Sequence, residues 1–364
     1  MTSNLNASSE AIYQAIKRLP IVSPHGHCDP IWFAQNKEFK NPAELLVIPD
    51  HYVSRMLYSQ GISLSDLGIG SPGQGANPRE IFRIFAKNWH LFLGTPSRVW
   101  MEYVLRETFQ IPTELSALTA DSIYDQLTEK LGQDNYRPRA LFDRFNIEIL
   151  ATTDSALDGL NHHATIKASD WTGRVIPTFR PDGVLDPLDP SFVQNLQELE
   201  KLTECDLGSY SGYLDAIRSR RAYFVKMGAT ATDHAIEVIH TEWLDHPDIL
   251  YQSLKLGTGT LEDAQRFYGH MLIEMAQMSV EDGLTMQIHG GSRRNTNTKL
   301  LFEFGRDIGA DIPISVDWVR GLDALLNRVG HITNLTIILF TLDESTYTRD
   351  LAPMAGHWPC LRIG

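Results

Sequence analysis

Apolar residues fall into two regimes along this chain. From residue 145 onward, short apolar and β-branched runs alternate with longer stretches whose apolar positions recur at helical spacing. The short runs predict strands over 146–152, 174–179, 227–232, 284–289, 334–340 and 360–363. The longer stretches predict helices over 191–203, 211–225, 261–280, 298–308 and 318–329, with Gly and Pro at the joins. At the N-terminal end, residues 9–18 read as a short helix stopped by Pro20, and a first strand follows from Ile21 to His27.

Residues 41–140 show no such alternation. Asn41-Pro42-Ala43-Glu44 and Asn77-Pro78-Arg79-Glu80 each set a capping side chain, a proline and an acid in the order that opens a helix. Residues 65–76, with four glycines, read as a loop. The block is too long for one crossover helix, so a helical insertion over 41–140 interrupts an α/β domain formed by 1–40 and 141–364. Strands alternating with helices imply a parallel sheet with crossover connections. The count gives seven strands, whereas a closed (β/α)₈ TIM-type barrel needs eight. Either residues 312–316 hide one strand, or the chain lacks a C-terminal one and has an open sheet edge.

Composition narrows the function classes. Lys+Arg total 32 and Asp+Glu 45, a net charge of −13, which argues against nucleic acid or an anionic membrane as partner. The three cysteines, Cys28, Cys205 and Cys360, are far apart and lack CxxC spacing. No basic-then-apolar leader opens the chain, and no apolar run approaches the ~20 residues of a membrane span. A cytoplasmic location is the default expectation.

The candidate chemistry gathers at predicted strand ends, where barrel active sites are built. Pro24-His25-Gly26-His27 ends the first strand. Residues i and i+2 of a strand share a face, so His25 and His27 can offer two imidazoles to one metal ion. Chance supplies about half of such a pair in a chain this rich in histidine, so the motif depends on its context. Arg180, in Phe179-Arg180-Pro181-Asp182, suits a carboxylate, though an Arg180–Asp182 ion pair is an equal alternative. His234 and His289 end two further strands, and Arg293 follows the second. A lone strand-end histidine is more often a core residue; two at equivalent ends favour a site. In the insertion, His51, Tyr52 and Arg55 fall within two helical turns, with His51 and Arg55 at i,i+4. No P-loop, GxGxxG, GxSxG or CxxC motif is present.

Taken together, PHGHCDP, DHYVSRML, PTFRPDGVLDP, GATATDHA, QIHGGSRRNTN and LAPMAGHWPCLRIG resemble the uronate isomerase (glucuronate isomerase) family of the amidohydrolase superfamily. The resemblance implies a distorted (β/α)₈ barrel with a helical insertion after strand 1. It implies interconversion of D-glucuronate with D-fructuronate and of D-galacturonate with D-tagaturonate. It further implies that His25 and His27 bind a divalent metal, usually zinc, and that His51, Tyr52 and Arg180 meet the substrate. His51 and Tyr52 are the candidates for proton handling; Arg180, Arg55, His234, His289 and Arg293 are candidates for substrate binding. The family continues beyond the LRIG-like strand with a tryptophan-rich loop and an eighth strand carrying an aspartate ligand. This chain has neither, so a missing strand and impaired metal binding are expected. Two other readings stay open: a metal-dependent hydrolase of the same superfamily and an inactive, truncated sugar-acid-binding remnant. A homo-oligomer is compatible with all three.

Overall fold

The computed structural model describes residues 7–70, 76–308 and 311–364. Part of the glycine-rich loop expected over 65–76 therefore lies outside the described residues. Among the described residues there are eleven strands: β1 (Ile21–Ser23), β2 (Ile147–Ala151), β3 (Asp154–Ser155), β4 (Arg174–Ile176), β5 (Phe179–Arg180), β6 (Ala231–Ile236), β7 (Thr285–Gly290), β8 (Ser292–Arg293), β9 (Ile312–Pro313), β10 (Ile337–Thr341) and β11 (Leu361–Ile363).

One sheet has the order β1-β2-β4 and a second β11-β10-β7-β6-β5-β3. Every pairing in them is parallel. The two are sections of one ladder. Thr152, Asp154 and Ala156 donate backbone N–H to the carbonyls of Ile176, Thr178 and Arg180, so β2 runs into β3 beside β4 running into β5. Read through these breaks, seven strand positions follow one another in chain order, as the alternation predicts. β1 and β11 each have a single strand neighbour among the described residues.

Two expectations need correction here. Ile312–Pro313 forms β9 and pairs with β8 in a separate two-stranded ribbon, so it supplies no further strand to the ladder. The first strand stops at Ser23 instead of running to His27. Pro24 has no N–H to donate to a ladder, and the chain turns into a loop there.

Contacts divide the chain into two units. The first comprises Met1–Ala34, Asn146–Ser292 and Pro313–Gly364. Its core gathers Phe179, Met286, Ile288, Ile337, Leu339 and Trp318. The helix Leu261–Asp282 runs through this core and buries Phe267, Met271, Leu272, Ile273, Met275 and Met278. No helix is long and apolar enough to cross a membrane among the described residues. At the other extreme, the helix Ala7–Ile16 buries no residue, and Ile12, Tyr13, Ile16, Ile21 and Val22 are all exposed.

The second unit comprises Gln35–Phe145 and Arg293–Ile312. It is helical because its sequence caps helices repeatedly. Prolines 42, 78, 96 and 138 open helices, and the side chains of Asn41, Asn77 and Thr95 accept N–H bonds from the first turns. Phe82, Phe85, Trp89 and Phe92 form the aromatic stripe of its core. Leu300 is buried in the same core, with Phe304 and Ile308 packed against it. The helical unit thus extends beyond residues 41–140 and includes a segment that the sequence order assigns to the α/β part. The helix predicted over 298–308 ends at Phe304, before Gly305 at φ 88°.

Candidate functional site

In the first unit, a cluster of donors forms where Asp233 in the middle of β6 and His289 near the end of β7 meet the loop after β1. The loop is held in two places. The Thr153 hydroxyl donates to the Gly26 carbonyl at 3.1 Å, and the Gln287 amide to the Pro24 carbonyl at 3.4 Å. Gly26 has to be glycine: a Cβ there would lie 2.9 Å from the Ala151 carbonyl oxygen. The loop ends at Asp29, whose carboxylate accepts the Ile31 N–H and starts the helix Pro30–Gln35.

This loop presents His25 between two sets of partners. The Nε2 atoms of His25 and His27 are 3.1 Å apart. Two nitrogens on one tetrahedral zinc at ~2.05 Å would sit about 3.3 Å apart, so this spacing fits a shared ion. On its other side, His25 Nδ1 lies 3.8 Å from Asp233 Oδ1, and His289 Nδ1 lies 2.6 Å from that same oxygen. The donor atoms of His25, Asp233 and His289 all fall within 4.8 Å of one another. His289 is stacked on Phe340, with ring centroids 4.4 Å apart and planes 7° apart, which fixes its plane.

Asp233 is the residue that sequence reasoning missed. It precedes His234 on β6, and adjacent strand residues face opposite ways. His234 sits with Thr232, its Nε2 3.0 Å from the hydroxyl, and is fully buried. Burial pushes its imidazole down to about 3, with the Arg221 and Arg180 charges adding to the effect. The expected substrate contact at His234 is therefore a core histidine, and the carboxylate beside it faces the site. The sequence Ala231-Thr232-Asp233-His234-Ala235 has polar side chains on both faces, so periodicity could not choose between them.

The electrostatics suit a cation. Burial would raise the Asp233 carboxyl, but His289, Arg180 and His25 outweigh it and hold the group down at about 2. Burial pushes His25 down to about 4, against the opposing pull of Asp233. An ionised carboxylate and a neutral imidazole are the forms that bind metal. His25 Nδ1, both Asp233 oxygens and His289 Nδ1 are buried, and none makes a well-directed hydrogen bond. Crowded donors without aligned partners fit a divalent ion. Arg180 closes the cluster: its Nε donates to Asp182 Oδ2 at 2.9 Å, and its Nη1 is 3.5 Å from Asp233 Oδ2. The Arg180–Asp182 ion pair is thus present, and it leaves Arg180 beside the cluster.

Behind the loop's anchor lies a buried polar network. The Thr152 hydroxyl donates to Asp154 at 2.7 Å and is 2.8 Å from His163 Nε2. Burial pushes Asp154 up to about 6 and His163 down to about 4. The two oppose each other. Between about pH 4 and 6 the folded state holds the Asp154 proton that the unfolded chain has lost, so stability falls as pH rises. Over nearly the same range the unfolded chain holds a His163 proton that the folded state lacks, so stability rises with pH. Asp154→Asn removes the first effect only. Its stability should increase by about 2–3 kcal/mol from pH 4 to 6.5, beyond any change in the parent. Urea unfolding at the two pH values measures this, and an equal slope in both proteins would contradict it.

The remaining candidates lie in the second unit. His51 opens the helix His51–Tyr58, capped by Asp50, which accepts the Tyr52 and Val53 N–H groups. The His51 and Tyr52 rings are 4.3 Å apart, and the Arg55 guanidinium lies 5.1 Å from the centre of the Tyr52 ring. Arg55 also lines a cavity with Tyr58, Leu64, Asn297 and Leu300. Arg293 lies exposed in β8.

The family model for glucuronate isomerase matches residues 2–361. The uronate isomerase of Rhizorhabdus wittichii is 53% identical over 355 residues, 97% of this chain and 76% of the relative. That of Sphingopyxis alaskensis is 53% identical over 359 residues, with the same coverage. Among solved structures, the glucuronate isomerase of Caulobacter crescentus superposes with a TM-score of 0.94 at 47% identity, covering 97% of this chain and 75% of that one. The uronate isomerase of Thermotoga maritima gives 0.92 at 25% identity, covering 99% and 78%. The chain thus spans about three quarters of the length of these relatives. With both its motifs and its parallel ladder matched over nearly all of its length, this chain belongs to the uronate isomerase family.

Proposed function

We propose that the chain isomerises uronates, interconverting D-glucuronate with D-fructuronate and D-galacturonate with D-tagaturonate, in a domain of the (β/α)₈ type. The identity of more than half over 97% of the chain to curated uronate isomerases carries this reading. The site chemistry agrees with it. Moving a proton between C1 and C2 needs a base beside the carbon, a positive group near the carbonyl oxygen and a clamp on the distant carboxylate.

A divalent ion, zinc by preference for nitrogen and carboxylate donors, would be held by His25 with His27, Asp233 and His289 available to complete the set. Once bound, it supplies Lewis-acid polarisation of a substrate oxygen. The other roles belong to side chains. Asp233, ionised beside Arg180, sets a negative charge against His25 and His289. Arg180, about one-fifth exposed, offers its remaining edge to the uronate carboxylate. His51 and Tyr52 move the proton, with Arg55 holding the phenol ring from its face. The reaction needs neither nucleic acid nor membrane, and a cytoplasmic setting suits a small anionic sugar. The purified chain, loaded with zinc, should convert D-glucuronate to its 2-ketose in an NMR assay. Stoichiometric zinc without turnover of either uronate would end this reading.

A further inference from the structure

We propose that Asp311 is a positioning residue for His51, fixing which ring nitrogen carries the proton. The inference rests on the reading of His51 as a proton carrier and deepens it. His51 stands first in its helix, and the one acid beside it in sequence, Asp50, is occupied with the N–H groups of Tyr52 and Val53. The carboxylate that meets its ring comes from far along the chain. Asp311 Oδ2 lies 3.0 Å from His51 Nε2. The other oxygen, Oδ1, accepts from Arg294 Nε at 3.1 Å, and Arg294 in turn reaches Asp307 at 3.8 Å. With an oxygen committed to each neighbour, the carboxylate is fixed in plane.

The burial pattern gives the pairing its chemical meaning. The His51 side chain is 42% exposed, yet its Nε2 atom is buried 3.0 Å from an oxygen of Asp311, itself only 19% exposed; the two atoms meet as a close charge contact without a well-directed hydrogen bond. A carboxylate facing Nε2 stabilises the tautomer with hydrogen on that nitrogen. The basic lone pair then resides on Nδ1, the nitrogen away from Asp311. Asp311 thus readies His51 to accept a proton through Nδ1 without touching substrate itself. Sequence order hides this, because residues 51 and 311 meet only through the inclusion of 293–312 in the helical unit.

The test uses the full chain labelled with ¹⁵N-histidine. At a pH where the ring is neutral, His51 should give the nitrogen shifts of the Nε2–H tautomer, assigned with a His51→Gln control. Asp311→Asn should move it towards a tautomer mixture, lower kcat on the order of 10-fold or more and leave KM and zinc content near wild type. Asp311→Glu should recover part of the kcat. A wild-type Nδ1–H tautomer, or an Asp311→Asn chain unchanged in both tautomer and kcat, would overturn the proposal. The catalytic reading fails separately, through a fully active His51→Gln chain, and the wild-type tautomer still decides the pairing in that case.

Discussion

His25→Ala is expected to abolish stoichiometric binding of a divalent metal and to lower kcat/KM on uronates by about 10³-fold or more, the several kcal/mol that a bound Lewis acid contributes. His25 carries this effect because it is common to both possible donor sets. One ring nitrogen lies 3.1 Å from His27, and the other faces Asp233 and, beyond it, His289. Its removal leaves neither set complete. Companion variants separate the two sets. If the ion sits between the loop histidines, His27→Ala should cost nearly as much as His25→Ala. If it sits against β6 and β7, Asp233→Asn should cost more than His27→Ala. Metal per chain by elemental analysis is the primary readout, and near-UV circular dichroism checks that the variants fold. A His25→Ala chain with full metal and full turnover would place the metal centre elsewhere.

The second large effect is expected at Tyr52. Tyr52→Phe should lower kcat by ~10²–10⁴-fold, the range for a positioned acid or base, with metal content unchanged. The substitution is clean because it keeps the ring on which Arg55 sits and removes only the hydroxyl. The side chain is 42% exposed and its backbone N–H is engaged by Asp50, so the helix should form as before. Incorporation of solvent deuterium at C2 gives a second readout, since it reports proton exchange independently of product release. A Tyr52→Phe chain that exchanges deuterium and turns over near the wild-type rate would remove Tyr52 from the chemistry.

The sequence carried the ladder well and the site unevenly. Strand positions were legible where an apolar run is bounded by Gly or Pro, as at 174–179 and 284–289, but the strand expected over 227–232 is displaced: Met227 ends a helix at Gly228, and β6 runs from Ala231 to Ile236. The pair His25 and His27 was legible as spacing, though the backbone that presents them is a loop and not a strand, since Pro24 ends the pairing. Asp233 was not legible, because its phase on β6 depends on which face the neighbouring strands leave open. His234 looked equivalent and lies on the other face, beside Thr232. The role of 293–312 was hidden for a different reason. Its Leu300 and Phe304 are spaced for a helix that could bury against either unit, and periodicity names no partner.

That last arrangement has a consequence for synthesis on the ribosome. The helices of 35–145 emerge early, but the aromatic core around Phe82, Phe85 and Trp89 also takes in Leu300, with Phe304 packed against it. At translation rates of 5–20 residues per second, the intervening stretch takes roughly 7–30 s to appear. During that interval the socket for Leu300 and Phe304 stays open while the α/β segments are made. A nascent chain paused between residues 145 and 293 should therefore be a better chaperone substrate than either an earlier or a completed one.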